Sequence, residues 1–178
     1  MERLPYRATS ASVSYSDFRL PVSILLDNVR SMYNVGAFFR TADGGGVERL
    51  LLSGITARPP KRAISKTALG AESRVAWEAV ENPAGLLRQL RSNAYEIVAI
   101  ETSTHSIDIF DWQPRFPVCV LFGHEVDGLP LALLEICDKH VRIPMLGSKH
   151  SLNVASAGAV VTYELLRKYR ALQVRALA

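Results

Sequence analysis

Val118-Cys119-Val120-Leu121-Phe122-Gly123-His124-Glu125-Val126-Asp127-Gly128 sets five consecutive apolar residues directly against a loop with two glycines and an acid. An apolar run of that length without alternation reads as a strand covered on both faces, and such strands belong to parallel sheets between helical layers. The pattern recurs outward in both directions. Val22 to Leu26, Glu48 to Ser53 and Tyr95 to Ile100 read as strands, Val141 to Ile143 as a short one, and Val75 to Val80 as an alternating one. Between the first two, Val35, Phe38, Phe39 and Ala42 repeat at helical spacing, and Gly44-Gly45-Gly46 ends that helix. This glycine run follows its helix and so reads as a cap, because a phosphate-cradling loop precedes one. Further helices are predicted over Ala63 to Ala71, Pro83 to Arg91, Leu131 to Cys137, and Asn153 to Tyr169, where Val154, Ala157, Val161 and Leu165 share a face. Strands alternating with helices predict an α/β fold, a mostly parallel sheet with helices on both faces.

With 178 residues, 48% hydrophobic and 21% charged, the chain can bury a sizeable single core and is not a disordered polymer. No linker, repeat or low-complexity tract divides it. Residues 21–178 are therefore expected to form one domain behind a flexible arm over 1–20. Arg3, Arg7, Arg19 and several serines give that arm a faint likeness to an organelle transit peptide, which Glu2 and Asp17 oppose, so a cytoplasmic location is expected. No apolar run approaches the roughly 20 residues of a membrane span, and the N-terminus lacks a signal-peptide core. Cys119 and Cys137 have neither CxxC spacing nor a histidine partner set, so they read as buried free thiols, and no metal is expected.

The net charge of +4 is unevenly spread. Arg58, Lys61, Arg62, Lys66 and Arg74 face Glu72 alone across one segment, which equals the excess of the whole chain. Such a strip suits a polyanion whose counterions are released on contact, although a solvated loop accounts for the charge equally well. Arg167, Lys168 and Arg170 are placed in the last turn of the final helix, complementing its dipole.

Two further segments join Gly123–Gly128 as junctions between a hydrophobic element and a turn: Asn34-Val-Gly36-Ala-Phe-Phe-Arg40, and Ile143-Pro-Met145 running into Ser151-Leu-Asn153. At 100° per residue, Arg40 points about 150° away from the apolar stripe of its helix, towards solvent or a site. Asn34 stands where it caps that helix, and Gly36 permits close approach of a backbone or ligand. Ser151 and Asn153 open the last helix, where capping again suffices to explain them. Several chemistries are excluded. His124-Glu125 lacks the second histidine of HExxH, since Gly128 occupies its place, and His150 beside Ser151 belongs to no GxSxG elbow. Neither GxGxxG after the first strand nor GxxxxGK[ST] is present.

Taken in order, the three segments resemble the motifs of the SpoU/TrmH branch of the SPOUT methyltransferases, over about Leu25 to Tyr169. The resemblance implies transfer of methyl from S-adenosylmethionine to a ribose 2′-oxygen of RNA. It also implies a C-terminal deep trefoil knot that holds the cofactor, which chain rules alone never predict, and a homodimer packed through the first and last helices. Tyr163 and Tyr169 are assigned to that interface or to the core.

Carried onto this chain, the catalytic set is Arg40, Asn34, Glu125, Ser151 and Asn153. The cofactor set is Leu121, Phe122, Gly123, Glu125, Gly128, Ile143, Met145, Ser151, Leu152 and Asn153, with the two loop glycines allowing positive φ and contact with a flat adenine. The RNA set is Arg58, Lys61, Arg62, Lys66 and Arg40. Guanidinium keeps its proton in nearly all proteins, so Arg40 is expected to orient the ribose and adjacent phosphate, with proton removal by it or by water. Two rival readings keep the scaffold. A non-catalytic RNA-binding or assembly protein would lose the reactive set, all of which is present, and a small-molecule methyltransferase leaves the basic strip without purpose. About twenty residues precede the first strand without an appended RNA-binding domain, so tRNA is expected ahead of rRNA by analogy with compact members.

Overall fold

The computed structural model describes residues 18–176, so all but the last three residues of the expected arm lie outside the described residues. Strands β1 (Leu20–Asp27), β2 (Val47–Ser53), β3 (Ala76–Val80), β4 (Glu96–Ile100), β5 (Ile107–Asp108), β6 (Val118–Phe122) and β7 (Lys139–Arg142) form one sheet in the order β3-β2-β1-β6-β4-β7-β5. Every pairing is parallel, which sharpens the expected "mostly parallel". Five helices complete the described fold: α1 (Met32–Gly45), α2 (Arg62–Ala68), α3 (Pro83–Ser92), α4 (Leu131–Leu134) and α5 (Val154–Ala176). None of them is long and apolar enough to cross a membrane.

Alternate strand residues supply two cores. Ile24, Leu26, Leu50, Leu52, Val98, Val120 and Phe122 pack against Val35, Phe38, Phe39 and Ala42 of α1 and Val161 and Leu165 of α5. Leu25, Leu51, Ile97, Ala99, Cys119 and Leu121 face Leu87 and Leu90 of α3 and Leu133 of α4. With both faces covered, neither parity of a central strand meets water, which is why the strands read as unbroken apolar runs. Burial pushes the Cys119 thiol far above its ordinary range. Cys137 is only half-buried, against the expectation, and burial followed by the nearby Asp138 charge raises it to about 12.

Several boundaries differ from expectation for local reasons. α2 stops at Ala68 because Leu69 takes the left-handed conformation at φ 54°, and a 3₁₀ turn, Ala71–Ser73, follows. α4 is a single turn, and β5 is too short for any periodicity to reveal. α5 runs on to Ala176, so Arg167, Lys168 and Arg170 lie inside it rather than in its last turn. Lys168 is buried: Nζ donates to the carbonyl of Ile109 at 2.6 Å and to that of Trp112, and pairs with Glu164 at 3.3 Å. It fastens the segment after β5 to α5. Tyr169 belongs to the core, edge-on to Phe18 and Phe116, whereas Tyr163 faces outward at 53% exposure.

Two glycines, one in α1 and one just after it, have identifiable tasks. Gly46 caps the helix at φ 66°, its N–H donating to the carbonyls of Ala42 and Asp43. Gly36 is where α2 crosses: a Cβ there would lie 2.1 Å from Thr67 Oγ1 and 2.3 Å from the Ile64 carbonyl oxygen. The close approach expected at Gly36 is therefore to the backbone of α2. Thr67 Oγ1 then donates to the Tyr33 carbonyl at 2.9 Å, holding the basic strip against α1.

Candidate active site

β6, β4 and β7 are neighbours in the sheet, so their C-terminal loops converge although they are far apart in sequence. Together with the start of α5 they enclose a cavity of about 270 Å³ at the edge where open α/β sheets bind ligands. A second hollow of about 710 Å³ lies at the other end of α1, beside Gly44–Gly46, Arg74 and Arg170, and holds none of the motif residues.

One hydrogen-bonded chain ties the three motif segments together beside the smaller cavity. Glu125 Oε2 accepts from the Arg30 N–H at 3.0 Å, and Oε1 accepts from the Ser31 N–H at 3.1 Å and from Asn34 Nδ2 at 3.0 Å. Asn34 Oδ1 in turn accepts from Asn153 Nδ2 at 3.2 Å. Asn153 Oδ1 then caps α5, accepting from the Ala155 and Ser156 amides at 2.9 and 3.3 Å. The direction of the chain is forced: a carboxylate only accepts, so Asn34 turns its NH₂ to Glu125 and its oxygen to Asn153. α1 is capped by Ser31, not Asn34. Ser31 has the extended backbone of a cap, and its Oγ accepts from the Asn34 N–H at 3.3 Å, leaving the Asn34 side chain free for the bridge.

Burial pushes the Glu125 carboxyl up, but the Arg30 and Ser31 amides and the Asn34 donor outweigh it and hold it below the usual carboxylate range. With its oxygens engaged by these donors, Glu125 is a strut between the Gly123–Gly128 loop and α1. That loop closes on itself through His124 N–H to Gly128 O at 3.1 Å and Gly128 N–H to His124 O at 3.0 Å. Only Gly128, at φ 70°, needs positive φ; a Cβ on Gly123 would lie 2.3 Å from the Gly128 carbonyl carbon, so its close contact is with its own loop. His124 Nδ1 accepts from the Val126 and Asp127 amides at 3.3 and 3.1 Å, a turn-holding role.

Of the expected cofactor set, Phe122, Gly123, Glu125, Gly128, Ile143, Met145, Ser151, Leu152 and Asn153 line the cavity, and Leu121 is not among its lining residues. Successive residues of β6 face opposite sides of the sheet, and Leu121 is fully buried under α3 and α4. Arg40 stands exposed on the outer face of α1, as its phase predicts, but does not line the cavity. It lies six residues beyond Asn34, about 9 Å along the helix axis. Lys61, Arg62 and Lys66 are exposed and Arg58 is half-buried; among the described residues none of the four is ion-paired. Glu101, at the end of β4, also lines the cavity and was missed. Its only signal was a lone acid directly after a buried strand. Among the described residues, no three His, Cys, Asp or Glu side chains cluster to hold a metal ion.

The profile of the SpoU rRNA Methylase family matches residues 21–163. The chain is 33% identical over 149 residues to the 23S rRNA (guanosine-2′-O-)-methyltransferase RlmB of Vibrio parahaemolyticus, covering 83% of this chain and 60% of that protein's length. Among solved structures, the TrmH/SpoU tRNA modifying enzyme of A. aeolicus superposes with a TM-score of 0.79 at 28% identity, over 87% of this chain and 78% of that one. The AdoMet-bound rRNA methyltransferase of Sinorhizobium meliloti gives 0.77 at 29% identity, over 82% and 56%.

Proposed function

The chain belongs to the SpoU rRNA methylase family, and on that premise we propose that it transfers the methyl group of S-adenosylmethionine to a ribose 2′-hydroxyl of RNA. The observation that carries this reading is the chain Glu125–Asn34–Asn153, which makes one wall of three separate segments beside a cavity at the strand ends. The cavity suits the cofactor. Phe122, Ile143, Met145 and Leu152 offer apolar surface to a flat ring, and the backbone of the loops that end β4, β6 and β7 borders the same cavity, where the ring's polar edge would lie.

The cofactor supplies the activated methyl and its own leaving group, so the protein's share is alignment. Asn34 and Asn153 hold the wall, Ser151 stands exposed at the cavity mouth, and Arg40 orients ribose and phosphate through its planar fork. Proton removal falls to Arg40 or to water, since Glu125 is engaged by its three donors. Arg58, Lys61, Arg62 and Lys66 contact RNA phosphates.

On the same reading, residues 21–178 form one domain with a C-terminal deep trefoil knot, acting in the cytoplasm as a homodimer. Exposed Met32, Tyr33, Val160 and Tyr163 on α1 and α5 support the dimer. The segment after β4 is tied to β7 by Arg142 Nη1 on the Ser106 carbonyl at 2.5 Å and to α5 by Lys168; the knot is inferred from the family alone.

Calorimetry with S-adenosylmethionine and S-adenosylhomocysteine is expected to show one site per chain. Labelled methyl transfer to tRNA and rRNA fractions, followed by mapping of 2′-O-methyl groups, identifies the substrate. A folded sample giving no heat with either ligand refutes the proposal.

A further inference from the structure

We infer that Glu101 accepts the vicinal hydroxyls of the cofactor's ribose, an inference that rests on the proposed use of S-adenosylmethionine. Two carboxylates line the cavity, Glu101 and Glu125. Glu125 is turned to α1 and engaged by three donors. Glu101 is different. Oε1 accepts one N–H, from Thr102 at 3.1 Å, and Oε2 accepts one, from Leu129 at 3.3 Å. A carboxylate offers about four lone-pair sites, so each oxygen keeps one acceptor position.

The same two amides, with the Glu101 N–H bound to the Val141 carbonyl at 3.0 Å, fix the carboxylate before any ligand arrives. Such preorganisation removes an ordering cost from binding. Gly128 keeps the group uncovered: a Cβ there would lie 2.6 Å from Oε2. Arg142, also on the cavity wall, spends Nη1 on the Ser106 carbonyl, and among the described residues Glu101 forms no ion pair. A half-buried, oriented carboxylate with one open position on each oxygen is matched by two adjacent O–H donors, the way strand-end acids hold ribose in other open α/β sheets. The ammonium of the cofactor's amino-acid tail is the competing donor for this carboxylate, and a ligand without that tail separates the two.

The test compares wild type with Glu101→Gln by calorimetry. The ligands are S-adenosylhomocysteine, its 2′-deoxy and 3′-deoxy analogues, and 5′-methylthioadenosine, which keeps the diol and lacks the amino-acid tail. Wild type is expected to prefer the full ribose about 10- to 100-fold over a deoxy analogue, the range of hydrogen bonds to a charged group. Glu101→Gln should lose most of that preference and weaken methylthioadenosine by the same factor as S-adenosylhomocysteine. Wild type alone overturns the inference if it binds deoxy and ribose ligands equally. An equal loss for ribose and deoxy ligands in the variant reduces Glu101 to a loop support and overturns it as well. A loss for S-adenosylhomocysteine but none for methylthioadenosine assigns the carboxylate to the ammonium, again overturning it. Wild-type binding to none of the four ligands overturns the proposed function itself, and the inference with it.

Discussion

Replacing Asn34 by aspartate exchanges one NH₂ for an oxygen, and that oxygen faces Glu125 Oε1 at 3.0 Å. Two unit charges about 4 Å apart repel by about 1 kcal/mol in water and about 4 kcal/mol at an effective dielectric constant near 20. The site opens to solvent, so the lower half of that range applies. A hydrogen bond to a charged group is also lost, while an acid in the first turn of α1 regains about 0.3–1 kcal/mol from the helix dipole. The net expectation is a loss of about 1.5–5 kcal/mol at pH 7.5, or about 3–20 °C in Tm for a chain of this size. Its pH dependence has a definite sign. In the wild type, Glu125 is held below its usual range, so its contribution is full above the unfolded carboxyl value and fades as pH falls through the folded one. In Asn34→Asp the paired carboxylates raise each other's pKa, so the penalty is full near neutrality and relaxes as the pair takes up a proton on acidification. The gap between the two proteins should therefore narrow from pH 7.5 to pH 5, whereas Asn34→Ala should show a smaller and nearly constant deficit. Thermal and urea denaturation at both pH values measure this. Asn34→Asp within 0.5 kcal/mol of wild type at both would mean that the bridge to Glu125 is absent in solution.

Arg40→Ala should leave stability within about 0.5 kcal/mol, as at exposed sites generally, while single-turnover methyl transfer falls by about 10²- to 10³-fold. Arg40→Lys should rescue poorly because a point charge lacks the planar fork; a near-normal rate in the alanine variant would make Arg40 an ordinary surface residue. Changing Lys61, Arg62 and Lys66 together to alanine should weaken RNA binding across sequences and lower the salt slope by about one unit per lost phosphate contact, with affinity for S-adenosylhomocysteine unchanged. An unaltered slope would assign the strip to solubility. Gly36→Ala gains about 1 kcal/mol of helix propensity, but its Cβ would meet Thr67 and the Ile64 carbonyl at an overpacking cost of about 1–3 kcal/mol, so a net loss of up to about 2 kcal/mol is expected in denaturation; a more stable variant would contradict the crossing of α2 at this point.

Periodicity and end chemistry were legible in the chain itself. Five apolar residues in a row announced β6, the 3.6-residue stripe gave the phase of α1 and hence the exposure of Arg40, and the glycine run marked the end of that helix at Gly46. These signals act over a few residues, within one strand or one turn, and need no partner to be read. The tertiary structure decided what depends on a partner distant in sequence. Ser31 and Asn34 both have the chemistry of a cap, and the choice between them was made by Glu125, whose carboxylate draws the Asn34 amide away from the helix end. Leu121 and Phe122 look alike in an apolar run; only the covering helices show which one faces the cavity. Lys168 reads as a surface charge until the carbonyls after β5 close around it, and Glu101 reads as a loop acid until β4 is placed between β6 and β7. Strand order, parity and the pairing of buried donors with acceptors arise from contacts across most of the chain, where local pattern carries no information about which surfaces will meet.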